Sequence, residues 1–251
     1  KKLNFDIKNF PKFKSKIEYI VLDKQPDNLK IFDKNDNEKI KESKILDNAL
    51  IRENYQRNFS HNKLKDYLDD DLILINDLDE IPNLENFKHQ NKITIFKQKM
   101  LYFKLNLIYP GLSWSGSKIC KMKDFLNPQW LRNIKTRKYP SWRFDILFSQ
   151  KKYNKIQIIE DGGWHFTNIK TPKDIHHKMK NFLHHFEYEN SGLGVKDIEK
   201  LIKEKKPLYN YSVDQRKKKW ATDSELVKIK LDLLPNYILE NKEKYKEWLI
   251  E

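Results

Sequence analysis

A chain of 251 residues with 38% hydrophobic and 13% aromatic residues is too apolar for a disordered polypeptide. It is long enough for one α/β domain with a sizeable core. The net charge of +14 points to anionic partners: phosphorylated small molecules, nucleic acid or an anionic membrane surface. A Lys-, Asn- and Ile-heavy composition also puts many lysines on the surface as plain solvated charge. The single cysteine, Cys120, excludes an internal disulfide and a cysteine zinc site, and fits a reducing compartment. No apolar run reaches the roughly 20 residues that cross a bilayer. No signal peptide is visible, and the expected location is cytoplasmic, at most peripheral to a membrane. The chain opens on Lys1-Lys2 without an initiator Met, which predicts that its true start lies upstream.

Residues 17–22 (IEYIVL) read as a short buried strand, and residues 45–59 as a helix from the spacing of Ile45, Leu46, Ala49, Leu50 and Phe59. The continuous apolar run Leu72-Ile73-Leu74-Ile75 predicts a central parallel strand covered on both faces, ended by Pro82. Residues 93–108 predict aromatic-rich β structure. Residues 142–149 and 155–160 predict two strands of a hairpin around the polar turn 150–154. Thr171-Pro172-Lys173-Asp174 is a helix start, with Thr171 as cap and Pro172 in the first position, for a helix to about Glu189. A further helix is expected over 194–205. Residues 214–219 (DQRKKK) form a basic run. Residues 235–251 predict an amphipathic helix docked by Tyr237, Ile238, Tyr245, Trp248 and Leu249. With no repeat or linker, the chain is expected to be one α/β domain over 1–251, mostly helical over 171–251.

The chemistry concentrates just past the 72–75 strand, in Asn76-Asp77-Leu78-Asp79-Glu80-Ile81-Pro82. In extended chain, residues two apart share a side, so Asp77 and Asp79 should face one way and Leu78 the core. Open α/β sheets bind ligands at the carboxyl ends of such strands. Two close carboxylates repel, and a hard cation such as Mn²⁺ or Mg²⁺ relieves this while keeping positions open for phosphate oxygens. The bland alternative is a solvated loop capping a helix.

A second acidic strand end, Glu160-Asp161, is followed by Gly162-Gly163-Trp164-His165-Phe166. The glycines allow a tight turn or a close approach to a ligand. His165 is a candidate third ligand, better suited to Mn²⁺ than to Mg²⁺. Trp164 is a candidate to stack on a sugar, or packs. His176, His177, His184 and His185 make no clean His-x-x-x-His pair, so a histidine-only zinc site is not expected. Lys178 and His184 fall near one face and suit phosphate.

These segments together resemble glycosyltransferase family 17, which includes the animal enzyme adding the bisecting N-acetylglucosamine to N-glycans. The likeness rests on DDDLILINDLDEIP, the preceding RENYQRN (residues 52–58), and GGWHF with Lys178 and His184. It also rests on Tyr102-Phe103-Lys104-Leu105-Asn106, Trp114-Ser115-Gly116-Ser117-Lys118 and the end around residues 235–249, and so covers nearly the whole chain. The resemblance implies a GT-A-like, Rossmann-like fold with a mixed, mainly parallel central sheet and C-terminal helices. It implies a UDP-sugar donor (UDP-N-acetylglucosamine), Mn²⁺ dependence, inversion at the anomeric carbon, and a glycan or glycolipid acceptor. On it, Asp77 and Asp79 match the family's Asp-x-Asp and hold the metal with His165. Arg57 and Lys118 become donor contacts beside Asp77, Trp164, Lys178 and His184. The family's leading strand–helix–strand unit is absent before Lys1, which puts base binding by this stretch alone in question. The segment 168–170 departs from the family, so acceptor identity does not transfer.

An inverting transfer needs a general base. Asp161 and Glu160 are the first candidates, with Glu187 and Asp145 behind them. Two rival readings stand beside this one. A glycoside hydrolase of the paired-carboxylate kind is disfavoured because Asp77 and Asp79 are too near in sequence to flank a scissile bond. A nucleic-acid-binding protein is allowed by charge and aromatics, but the basic residues are scattered outside Arg216–Lys219 and no nucleic-acid motif appears.

Overall fold

The computed structural model describes residues 5–64, 66–140, 142–146, 148–182, 185–211 and 224–250. His184 and the basic run 214–219 lie outside the described residues.

The first long element is helix α1 (Glu38–Phe59), capped by the Asn37 side chain accepting from the Ile40 amide. The predicted helix over 45–59 is its second half. The predicted strand over 17–22 is coil: no strand among the described residues pairs with it, and it lies against α1 around Arg52 and Tyr55. A short apolar run does not carry the identity of a partner strand, and among the described residues there is none.

Two sheets form the body. The first is ordered β1 (Leu72–Ile75), β6 (Lys118–Lys121), β3 (Ile93–Phe96), β7 (Ile156–Ile159). The second is ordered β2 (Glu80–Pro82), β8 (Gly163–Thr167), β4 (Gln98–Tyr102), β5 (Leu107–Trp114), β9 (Val227–Lys228). Pairs β3–β7 and β4–β8 are parallel, while the other pairings are antiparallel. The expectation of a mainly parallel sheet is therefore corrected to a mixed, mainly antiparallel one. The strand pair β3/β7 continues into β4/β8 through hydrogen bonds at the bend, where the Lys97 amide donates to Ile159 and the Gly162 amide to Lys97. The two sheets are consecutive lengths of one bent ribbon at that point.

β1 is not central. It is an edge strand, antiparallel to β6, with Ile73 buried and Leu72 exposed. An apolar run alone does not separate edge from centre. The hairpin over 142–160 is also overturned. β7 pairs in parallel with β3, and the described residues of 142–149 hold one 3-10 turn, Phe144–Ile146, and no strand.

The helices cover the second sheet. α3 (Pro172–Met179) and α5 (Val195–Lys203) pack Ile175, Met179 and Ile198 against Met100 and Tyr102 of β4, with Tyr188 of α4 (His185–Ser191). Thr171 caps α3 as expected, accepting from the Asp174 amide. The helix does not run through to Glu189: it ends at Met179, where the Asn181 side chain donates to the His177 carbonyl at 2.8 Å. The opposite face of the sheet, through Leu101, is covered by the C-terminal segment, where Leu234 and Ile238 are buried with Trp248 and Leu249 packed beside them. That segment is α6 (Asn236–Glu240) followed by a 3-10 stretch, Lys242–Trp248, rather than one helix, and Tyr237 is exposed rather than docked. The first sheet is covered by α2 (Pro128–Asn133), which buries Trp130 and Leu131 against Ile73, Ile93 and Cys120. Among the described residues no helix is long and apolar enough to cross a membrane.

Candidate functional site

β1 ends one residue before the acidic segment, which does not continue extended. The Glu80 amide donates to the Asp77 carbonyl at 3.0 Å, closing a turn with Leu78 and Asp79 at its corners. Asn76 stabilises the turn by donating its side-chain amide to the carbonyls of Asp77 and Glu80. Leu78 is therefore fully exposed at the tip, contrary to the expectation that it faces the core. The strand-alternation argument fails because a turn, not a strand, carries these residues.

Glu80 begins β2 and its carboxylate is buried. It accepts from Trp114 Nε1 (2.6 Å), Ser117 Oγ (3.3 Å), the Asp77 amide (3.0 Å) and both terminal nitrogens of Arg132 (2.9 and 2.7 Å). Gly116 leaves it room: a Cβ there would lie 1.8 Å from Glu80 Oε1. Burial pushes the Glu80 carboxyl up, but the Arg132 hydrogen bonds and charge, with Trp114, outweigh it and hold the group below its ordinary value.

Arg132, on α2, also donates to Asp77 Oδ2 at 2.5 Å. Arg57, on α1, reaches Asp77 Oδ1 at 3.5 Å while holding Gln129 and Glu53. Asp77 thus meets two guanidinium groups. It lines an open cleft of about 390 Å³ with Glu53, Arg57, Ser60 and Leu78.

Asp79 takes a different partner. Its Oδ1 lies 3.4 Å from Nε2 of His165, which sits on β8 directly across from Glu80 in the strand register. The imidazole is stacked on Trp114, with centroids 4.7 Å apart and planes 22° apart. The main chain adds a bond from the Phe166 amide to the Asp79 carbonyl. Burial raises the Asp79 carboxyl, but the His165 hydrogen bond and charge, then the Lys178 charge, bring it below the usual carboxylate range. Lys178 is itself lowered by burial, against the pull of Asp79, and donates to Asn168 at 3.1 Å.

The other sequence candidates are placed elsewhere. Lys118 is buried behind α2, its ammonium donating to the carbonyls of Arg132 (2.5 Å) and Ile134 (2.6 Å), so it reaches the cleft only through Arg132. Burial first, and then the Arg132 charge, bring it from 10.5 down to about 7. Trp164 alternates with His165 along β8, packs against the C-terminal segment and donates to the Leu233 carbonyl. Glu160 and Asp161 are exposed in ion pairs with Lys97 and Lys99, and no hydrogen bond or ion pair joins them to Asp77, Asp79 or His165 among the described residues. Gly162 and Gly163 make a close approach to neighbouring backbone: Gly163 has φ +128°, and a Cβ would lie 2.2 Å from the Ile81 carbonyl oxygen. Asp145 pairs with Arg143 and Lys152, Glu187 is on α4, and His176 hydrogen-bonds the Tyr188 hydroxyl.

The donor set fits a divalent cation in part. Asp79 Oδ1 and His165 Nε2 are close enough to share one coordination shell, and an oxygen–nitrogen pair suits Mn²⁺. Among the described residues no three His, Cys, Asp or Glu side chains converge, because Asp77 is held by arginines. Two such donors alone do not complete a cation's shell, which would need further ligands such as phosphate oxygens and water.

Arg132, Glu80 and Trp114 carry the site's geometry and were not among the sequence candidates. The Asn127-Pro128 helix start, with Asn127 accepting from the Trp130 amide, is a readable signal for α2, but not for where its arginine points. No family model matches the chain, and no curated protein or solved structure matches it.

Proposed function

We propose that the chain is a metal-dependent, inverting glycosyltransferase that uses a nucleotide-diphosphate sugar, UDP-N-acetylglucosamine by its resemblance to glycosyltransferase family 17, and a glycan or glycolipid acceptor. The observation that carries this reading is the Asp77–Glu80 turn: one acid faces an imidazole at 3.4 Å, and the other faces two arginines over an open cleft. Cation ligands and anion ligands lie side by side there, as a metal–diphosphate requires.

In this reading Asp79 and His165 hold the cation. A divalent ion held there would supply positive charge beside the departing diphosphate. Arg57 and the Arg132 nitrogen that meets Asp77 bind diphosphate oxygens, while the Arg132 fork keeps its two bonds to Glu80. Exchange of the Arg132–Asp77 contact for phosphate frees Asp77, so donor and metal should bind better together than apart. The acceptor oxygen bonds to the anomeric carbon as the bond from that carbon to the diphosphate oxygen breaks; the electron pair leaves with the diphosphate, and a general base on the acceptor side takes the hydroxyl proton. Glu160 and Asp161, the first candidates for that base, are paired with Lys97 and Lys99, and either would have to leave its lysine to accept the proton.

Calorimetric titration of UDP and UDP-N-acetylglucosamine, with and without Mn²⁺, tests it. Binding should require Mn²⁺ and weaken at least about tenfold in both Asp79→Ala and His165→Ala. Binding that ignores the metal, or is unchanged in both variants, rules the reading out.

A further inference from the structure

Between α2 and β7 the chain makes an excursion over residues 135–155 whose composition and exposure set it apart. It has seven basic residues against one acid, Asp145, for a net +6. Its base is tied down. The Lys135 amide donates to the Lys151 carbonyl at 2.8 Å, and Trp130 Nε1 donates to the Gln150 carbonyl at 2.8 Å. Asp145 clamps Arg143 (2.8 and 2.7 Å) and Lys152 (2.7 Å). Buried Tyr139 is packed under the Arg137 and Arg143 guanidinium groups, 4.8 and 5.4 Å from its ring centre. Asp145 therefore neutralises only cations inside the loop. Lys135, Arg137, Lys138, Lys151 and Lys155 remain exposed.

Three large rings of this excursion stand in solvent: Trp142 is 75% exposed, Phe144 79% and Phe148 90%. Rings this exposed gain nothing from the fold and lose apolar area to water. Aromatic side chains ringed by Lys and Arg match the headgroup layer of an anionic bilayer, where rings enter the acyl boundary and cations meet lipid phosphates and carboxylates. We propose that residues 135–155 form a docking surface for an anionic lipid membrane. Single-stranded nucleic acid, the other anionic partner for aromatics, needs a basic groove that follows a strand. Neither the cleft at Asp77 nor the one beside α1 is lined by these rings or cations. The loop follows directly on α2, so docking would bring Arg132 and the Asp77 turn close to the lipid surface. The surface stands on its own observations, apart from the transfer reaction.

Co-sedimentation of the whole chain with vesicles of phosphatidylcholine alone, and of phosphatidylcholine doped with phosphatidylserine, tests this. A single-stranded oligonucleotide is titrated in parallel. The expected result is binding only to the serine-lipid vesicles, weakened by added salt. The Trp142→Ala/Phe144→Ala/Phe148→Ala variant should bind at least about tenfold more weakly with an unchanged melting temperature. Arg137→Glu/Lys138→Glu should lose roughly thirtyfold or more. The proposal is overturned if the anionic vesicles do not bind. It is equally overturned if the aromatic variant binds them as well as the wild type, or if the oligonucleotide binds more tightly than the vesicles and depends on the same rings.

Discussion

Five N–H and O–H groups converge on the Glu80 carboxylate, from Trp114, Ser117, the Asp77 amide and twice from Arg132. A buried carboxylate with that many donors is stable only while all of them stay in place. Glu80→Ala leaves the Arg132 charge half-buried beside an empty space, and should cost about 3–5 kcal/mol of unfolding free energy in guanidinium titration. A double variant with Arg132→Met should recover part of that loss. The acid limb has a definite sign. The Glu80 pKa lies below its ordinary 4.5 in the folded chain, so its contribution is present above that value and disappears as pH falls through the folded pKa. In Glu80→Ala this part of the acid sensitivity should be gone. Asp77, Asp79 and His165 were legible because an acidic cluster after an apolar run has a chemical meaning by itself. Glu80 was legible only as a neighbour. Its importance comes from Arg132, 52 positions away, and from space left by Gly116, and neither leaves a local pattern.

Among the elements, the start of α3 was readable and its end was not, whereas for α1 the end at Phe59 was read and the start at Glu38 was missed. Thr171-Pro172 marks the start of α3 by its own chemistry. The end of α3 and the end of α6 share another device: Asn181 donates its side-chain amide to the carbonyl of His177, and Asn241 to that of Tyr237, in each case four residues back. The side chain takes an acceptor that the next helical turn would have used, so apolar spacing continues while the helix does not. Sheet membership was unreadable for a similar reason: β1 and a central strand look alike until β6 is known. The β6–α2 contact makes its own prediction through Lys118, whose ammonium holds the carbonyls of Arg132 and Ile134. Burial brings this lysine to about 7 from 10.5. Below pH 7 it is charged in both folded and unfolded chains and the cost of burying it is complete. Between about 7 and 10.5 the unfolded chain holds the extra proton, so stability rises with pH. The difference in unfolding free energy between wild type and Lys118→Met should therefore shift in favour of the wild type across that window. A flat difference would mean that the two carbonyls keep the lysine charged.

At the scale of the molecule, the mixed α/β class was legible from alternating strand and helix patterns, whereas the bent ribbon of β3/β4 and β7/β8 was not, because parallel pairing across 60 residues has no local signature. That ribbon has a practical consequence through its first sheet. The only thiol in the chain, Cys120, sits on β6 between β1 and β3 with no exposed surface, and burial, then the Asp124 charge, push it up to about 12. A thiol reagent reaches it only when the first sheet parts. Labelling of the native chain should run at least about a thousandfold slower than in denaturant. Alkylation near the unfolded rate would mean that the β1 edge opens on its own. The molecule thus carries one internal clock, and any ligand that binds the Asp77 turn and tightens β1 should make it run slower.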